Sequence, residues 1–203
     1  MVARVLILRA GSGPGNSLCR SLRSGDASIY IVGCHSDPFV LKKSLADRNY
    51  LAPPSPRQVQ LRALRRIIDR ECIDLVIPTT DEDVLTIARL REKLACRVFL
   101  PRTAVVERCQ DKYALASFLR RRNIPAPLTY AISSLAQVEA LFRRLAPRQL
   151  LWCRVRKGSG SFAAIPVRRP NQARAWIEYW QEMRGIPARS FTLSEYLPGR
   201  DFC

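Results

Sequence analysis

A glycine-rich loop at residues 11–16 follows an apolar run and precedes a helical pattern. Backbone N–H groups at the start of a helix can hydrogen-bond a phosphate or a carboxylate. A dinucleotide site would favour a small residue where Arg9 stands, and an acidic residue after the second strand, where Gly33-Cys34-His35 stands. The loop therefore fits a tight strand-to-helix turn and leaves an NAD site as an alternative.

Three acidic residues, Asp81, Glu82 and Asp83, follow a predicted strand at residues 75–77. Open α/β sheets bind their ligands at the carboxyl ends of parallel strands, which favours a substrate-facing role. The same segment also fits a helix start, because Thr80 or Asp81 could be the N-cap and the helix dipole favours acids in the first turn. Both interpretations stay open on the sequence alone.

The charge balance bears on the choice of partner. The chain has 203 residues, of which 34 are basic and 17 acidic, so the formal net charge is +17. That excess would suit nucleic acid. The basic residues are mostly arginines spread through nearly every segment, with the densest cluster at 120–122. Such dispersed charge is typical of solvated helix faces, and nucleic acid is kept only as an alternative partner.

Cysteine, histidine and tryptophan give mainly structural expectations. The seven cysteines contain no C-x-x-C pair and His35 is the only histidine, so we expect reduced core cysteines, no zinc site and no His-based triad. Trp152, Trp176 and Trp180 are interpreted as packing residues. The sequence has no run of 18 apolar residues, and Met1 leads directly into a strand pattern, so we expect a soluble cytoplasmic protein.

Hydrophobic patterning predicts an α/β first half. Apolar strands at 5–8, 29–32, 75–77 and 98–100 alternate with helical patterns, which indicates a parallel sheet covered by helices.

The pattern changes after about residue 105. A helix at 111–122 ends before Ile124-Pro125-Ala126-Pro127, a candidate linker because proline cannot continue a helix. The remaining predicted elements are a helix at 135–145, a strand at 150–155, a returning strand at 164–167, a helix at 173–183 and a strand at 191–197. This order indicates an α+β module. Because the chain stops just after its last predicted strand, we expect a truncated domain.

Four motifs occur in an order that resembles the ATP-grasp superfamily, nearest to its carbamoyl-phosphate-synthase-like, carboxylate–amine ligase type. They are G-S-G-P-G-N at 11–16, I-P-T-T-D-E at 77–82, D-K-Y-A-L at 111–115 and E-Y-L-P-G-R-D-F at 195–202. The resemblance extends over the whole chain. It implies a Rossmann-like pre-ATP-grasp α/β domain at residues 1–108 and an incomplete α+β ATP-grasp domain at 109–203.

The resemblance also implies which residues bind ATP. Lys112 and Arg154 match positions that reach the phosphates. The flexible loop over the triphosphate corresponds to Lys157, Gly158, Ser159, Gly160 and Ser161. The adenine edge is read by a hinge that corresponds to Glu195, Tyr196 and Leu197, and the ribose by an acid that corresponds to Asp201.

The implied activity belongs to the complete protein, for which a homo-oligomer is one option. ATP would phosphorylate a carboxylate, and an amine or similar nucleophile would attack the acylphosphate. The Mg²⁺ ligands are expected beyond Cys203, so this chain alone is not expected to catalyse. Phe162-Ala163 and Arg9 depart from the usual glycines of the superfamily. A non-catalytic nucleotide-binding module is the main alternative.

Overall fold

The computed structural model describes residues 2–52, 57–145 and 150–199, and for residues 57–59 the backbone alone. It consists of two compact units, Met1–Val106 and Glu107–Cys203. The sequence predicts a domain boundary between residues 108 and 109. That the two units are independent domains stays a prediction.

The first unit is built on a parallel sheet of five strands in the order β3-β2-β1-β4-β5. Its strands are β1 (Arg4–Leu8), β2 (Tyr30–His35), β3 (Arg48–Leu51), β4 (Leu75–Ile77) and β5 (Arg97–Val98). Its helices are α1 (Gly13–Gly25), α2 (Pro38–Leu41), α3 (Arg57–Glu71) and α4 (Asp81–Leu90), and α5 (Thr103–Gln110) runs across the boundary of the unit.

The apolar run of β1 packs on both faces of this sheet, as its sequence predicts. Leu6 belongs to a core with Leu64 of α3, whereas Ile7 belongs to a second core with Cys19 of α1. The sequence of a strand that is covered on both faces is a continuous apolar run rather than an alternation of apolar and polar residues.

Two details of the first unit differ from the expectation. The edge strand β3 has the sequence R-N-Y-L and three of its four residues are exposed, so no apolar pattern marks it. The predicted strand at 98–100 is shorter, because β5 ends at Val98 and the Phe99 side chain is 92% exposed.

The second unit contains an antiparallel sheet of four strands in the order β6-β9-β7-β8. Its strands are β6 (Thr129–Ala131), β7 (Leu151–Val155), β8 (Ile165–Val167) and β9 (Phe191–Glu195). Its helices are α6 (Lys112–Arg120), α7 (Val138–Leu145) and α8 (Pro170–Arg184).

One face of the second sheet is the core of this unit. Cys153 and Val155 of β7 alternate inward and pack with Leu141 of α7 and Ile177 of α8. The candidate linker at 124–127 lies inside this unit, where it connects α6 to β6, so it does not separate the units. Among the described residues, no helix has the length and apolar character needed to cross a membrane.

Candidate functional site

A cavity of about 220 Å³ in the second unit brings together six residues of the predicted ATP site. These are Lys112, Arg154, Gly158, Ser159, Gly160 and Ser161. They come from three segments: the start of α6, strand β7 and the loop that joins β7 to β8. The wall is completed by Trp152, Phe162 and Ala164.

Strand β7 supplies the floor of this cavity through its period of two. Leu151, Cys153 and Val155 face the core, so Trp152 and Arg154 face the opposite side of the sheet. Trp152 lines the cavity, whereas Trp176 and Trp180 pack against the core of the unit. Alternation along β7 is the sequence signal that could have placed Trp152 beside Arg154.

The environment of Arg154 favours an anion. Burial lowers the pKa of its guanidinium, although an arginine side chain keeps its proton in proteins. Its Nε is buried and has no hydrogen-bond partner among the described residues. The side chain as a whole is half-buried and lines the cavity, so its guanidinium can donate charge-assisted hydrogen bonds to an anionic oxygen there.

Lys112 reaches the same cavity from the start of α6. Asp111 is the N-cap of that helix and accepts a hydrogen bond from the Ala114 amide at 3.0 Å. The Lys112 Nζ donates to the carbonyl oxygen of Gly158 at 2.5 Å. The lysine therefore contacts the loop at 158–161, which forms the opposite wall of the cavity.

The backbone of the loop at 158–161 has open space beside Gly160. Gly160 has a φ of 61°, in the region that favours glycine, and a β-carbon there would meet no heavy atom within 4 Å. Ser161 has a φ of 57° without being glycine. After the loop, Trp176 Nε1 donates to the Ala163 carbonyl at 3.1 Å, which ties this end to α8.

Lys157 is not part of this cavity. It is exposed and lines a neighbouring cavity of about 560 Å³, together with Asp111 and Arg156.

The predicted hinge lies at the end of β9 and also outside the cavity. The Leu128 amide donates to the Glu195 carboxylate, and the Glu195 amide donates to the Leu128 carbonyl at 3.0 Å. The predicted strand at 191–197 is two residues too long, since Tyr196 and Leu197 follow β9. The Tyr196 ring lies 5.9 Å from that of Trp152, so it adjoins the cavity wall. Asp201 lies outside the described residues.

The acidic segment of the first unit begins a helix. Thr80 is the N-cap of α4 and accepts from the Asp83 amide at 3.2 Å, which confirms the capping interpretation. Asp83 is buried, and its carboxylate contacts Arg9 Nε at 3.0 Å and the Thr80 hydroxyl at 2.8 Å. Arg9 also reaches Glu82 at 3.4 Å. The arginine that departs from the superfamily pattern thus neutralises a buried acid, while Asp81 and Glu82 are exposed.

The loop at 11–16 is a strand-to-helix turn in the structure. Ser12 is the N-cap of α1, and its hydroxyl accepts from the Gly15 amide at 3.2 Å. A β-carbon on Gly15 would lie 2.6 Å from the Arg9 carbonyl oxygen, so only glycine fits there. His35 is the last residue of β2 rather than a loop residue, and its Nδ1 accepts from the Asp37 amide at 2.8 Å.

The cysteines are free thiols where the structure describes them. Burial raises the pKa of Cys34 and of Cys153 to about 12, which makes both thiols poor nucleophiles. The core interpretation is wrong for Cys72 and Cys109, which are exposed. The described part of the chain contains no group of three His, Cys, Asp or Glu side chains that could hold a metal ion.

Comparison with known proteins agrees with this architecture. No known family profile matches the chain. The carbamoyl phosphate synthase large chain of Methanothermobacter thermautotrophicus is 28% identical over 153 residues, which cover 67% of this chain and 14% of that protein.

Solved structures match over almost the whole chain. An L-amino acid ligase from Bacillus licheniformis matches with a TM-score of 0.72 and 13% identity, over 97% of this chain and 45% of that one. A biotin carboxylase from Campylobacter jejuni, in an ATP-analogue complex, matches with a TM-score of 0.70 and 13% identity, over 98% of this chain and 46% of that one. An N5-carboxyaminoimidazole ribonucleotide synthetase from Thermotoga maritima matches with a TM-score of 0.64 and 16% identity, over 96% of this chain and 46% of that one.

The fold is thus the mixed α/β arrangement found in these ligase, carboxylase and synthetase structures, as the sequence predicts. These similarities support the resemblance to the ATP-grasp superfamily, and the chain spans less than half the length of the proteins it matches.

Proposed function

We propose that the second unit binds ATP, with the phosphates in the cavity between Lys112, Arg154 and the loop at 158–161. The observation that carries the proposal is the half-buried Arg154 side chain, a cation that lines an open cavity and whose buried Nε has no partner among the described residues. A second cation and a loop of glycines and serines surround the same space. Cations, hydroxyls and close backbone amides are the groups that bind phosphate.

The size of the cavity supports a phosphate site rather than a site for the whole nucleotide. Its volume of about 220 Å³ is below the roughly 300–1,000 Å³ of complete small-molecule sites. The base would extend along Trp152 toward Tyr196, and the backbone of residues 195–197 would read the adenine edge. Asp201 would accept from the ribose hydroxyls.

We further propose that the complete protein is an ATP-dependent ligase. A carboxylate oxygen of the acceptor would attack the γ-phosphorus while the bond to ADP breaks. The nitrogen of an amine would then attack the acylphosphate carbon and release phosphate. The similarity to an L-amino acid ligase supports this reaction class. Asp81 and Glu82, which are exposed, remain the proposed substrate-facing acids, whereas Asp83 is buried in its ion pair with Arg9.

The fit of the two expected cofactors differs. The cationic cavity fits the ATP phosphates. The described residues do not supply a set of carboxylates for Mg²⁺, so none of them is assigned as a ligand of the metal.

The test is ATP binding by calorimetry, comparing the wild-type chain with Arg154→Ala. Losing a charged donor should weaken binding at least tenfold, since hydrogen bonds to charged groups contribute about 1.5–3 kcal/mol. Arg184→Ala is the matched control, because Arg184 is an exposed arginine on α8 outside the cavity. Equal ATP affinity in the wild type and Arg154→Ala would refute the proposed site.

The ligase assignment needs a separate test on the complete protein. ATP hydrolysis should depend on an added carboxylate and amine. Hydrolysis that never responds to any carboxylate or amine would contradict it. Nucleotide binding without any turnover would instead support the non-catalytic alternative.

A further inference from the structure

An ion pair joins the two elements that carry the cations of the proposed phosphate site. Arg156 Nε lies 2.7 Å from Asp111 Oδ1 and 2.8 Å from Oδ2. Asp111 is only 6% exposed, so the pair is shielded on the carboxylate side. The Arg156 guanidinium also lies 5.1 Å from the centre of the Tyr113 ring.

Backbone hydrogen bonds also connect the start of α6 to the residue that follows β7. The Lys112 amide donates to the Arg156 carbonyl at 3.1 Å, and the Arg156 amide donates to the Ser190 carbonyl at 2.7 Å. The ion pair is therefore one residue from Lys112 and two residues from Arg154, and it fixes the start of α6 against the end of β7.

The paired residues do not line the proposed phosphate cavity. Asp111 and Arg156 line the neighbouring cavity of about 560 Å³, whereas Lys112 and Arg154 line the one of about 220 Å³. Two cations that share a small cavity repel each other, and a rigid support between their elements opposes that repulsion. Because neither paired residue lines the phosphate cavity, the pair can affect ligand binding through the placement of the two cations.

We propose that Asp111 and Arg156 are positioning residues, which hold Lys112 and Arg154 at the spacing that a polyphosphate chain requires. This inference rests on the proposed function. It adds two residues with a role in ATP binding that the motifs alone do not assign.

The variant that isolates the pair is Asp111→Asn. Asparagine is as good an N-cap as aspartate, so the hydrogen bond to the Ala114 amide is retained while the charge is lost. We expect ATP affinity to fall roughly tenfold, the scale of one charge-assisted hydrogen bond, with unchanged circular dichroism. Glu139→Gln is the matched control, because it removes the same charge from the exposed Arg174–Glu139 pair at 2.8 Å in the same unit. Its ATP affinity should equal that of the wild type.

A double-mutant cycle with Lys112→Ala separates positioning from general stability. If Asp111 acts through Lys112, adding Asp111→Asn to Lys112→Ala should weaken ATP binding less than about threefold further, because coupled residues are non-additive. A purely structural role predicts the full tenfold loss in both backgrounds.

The outcomes separate this inference from the proposed function. If the wild type binds ATP and Asp111→Asn binds it with the same affinity, the inference is overturned and the proposed function stands. Additive losses, or an unfolded Asp111→Asn chain, overturn it in favour of a structural role. A wild-type chain that binds no ATP refutes the proposed function and this inference with it.

Discussion

Removal of the Arg9 side chain should destabilise the first unit, because Arg9 neutralises a buried acid. Asp83 is 3% exposed and its carboxylate lies 3.0 Å from Arg9 Nε, while the Arg9 side chain keeps 28% exposure. Loss of one partner from a buried pair costs about 3–5 kcal/mol. Since the arginine is partly solvated and the Thr80 hydroxyl still donates to Asp83, we take about 3 kcal/mol for Arg9→Ala.

Arg9→Gly should be less harmful than Arg9→Ala. Arg9 has a φ of 58°, where a residue with a β-carbon is strained by about 1–2 kcal/mol. Glycine removes that strain but adds freedom to the unfolded chain, which leaves a gain of about 1 kcal/mol. The expected free-energy losses are therefore about 3 kcal/mol for alanine and about 2 kcal/mol for glycine.

Hydrogen exchange of β1 peptides is the suitable assay. All three tryptophans lie in the second unit, so fluorescence would follow that unit alone. Asp83→Asn should offset at least about 1 kcal/mol of the loss in the Arg9→Ala background, because it removes the unpaired charge. Exchange that is unchanged in Arg9→Ala, or that is slowed in Arg9→Gly, would refute this account of the pair.

Two further predictions concern a glycine and an acid. Gly15→Ala should destabilise the first unit by about 2 kcal/mol or more, since its β-carbon would meet the Arg9 carbonyl oxygen at 2.6 Å. Gly13→Ala is the control with open space, and equal stability of the two variants in urea denaturation would contradict the clash. Burial raises the pKa of the Asp111 carboxyl, but hydrogen bonds from Arg156 and from the Ala114 amide outweigh it and lower the pKa overall. The stability that this group contributes is present at neutral pH and is lost as the pH falls below about 4, through the folded-state pKa. Stability measured by tryptophan fluorescence should therefore fall less on acidification in Asp111→Asn than in the wild type. Identical curves would contradict this role of the Asp111 carboxylate.

Local patterns in the sequence predicted most of the fold. The apolar run at residues 5–8 is a buried central strand, and alternation along 151–155 is a strand with one buried face. Thr80 ahead of three acids is a helix cap. These local patterns depend on neighbours within a few residues, so they can be read without knowing the tertiary structure. The grouping of Lys112, Arg154 and the loop at 158–161 in one candidate site came instead from the resemblance to the ATP-grasp superfamily.

Other features were decided only when distant segments came together. The strand R-N-Y-L has no apolar pattern, and it is a strand because it pairs with β2 at the edge of the sheet. Arg9 and Asp83 are 74 residues apart, and Asp111 and Arg156 are 45 apart, so each pair is set by packing and not by any local motif. Sequence spacing specifies periodicity along one element, whereas contacts between elements depend on the register and order of strands. Those long-range choices determine which charges are paired in this protein and which remain for a ligand.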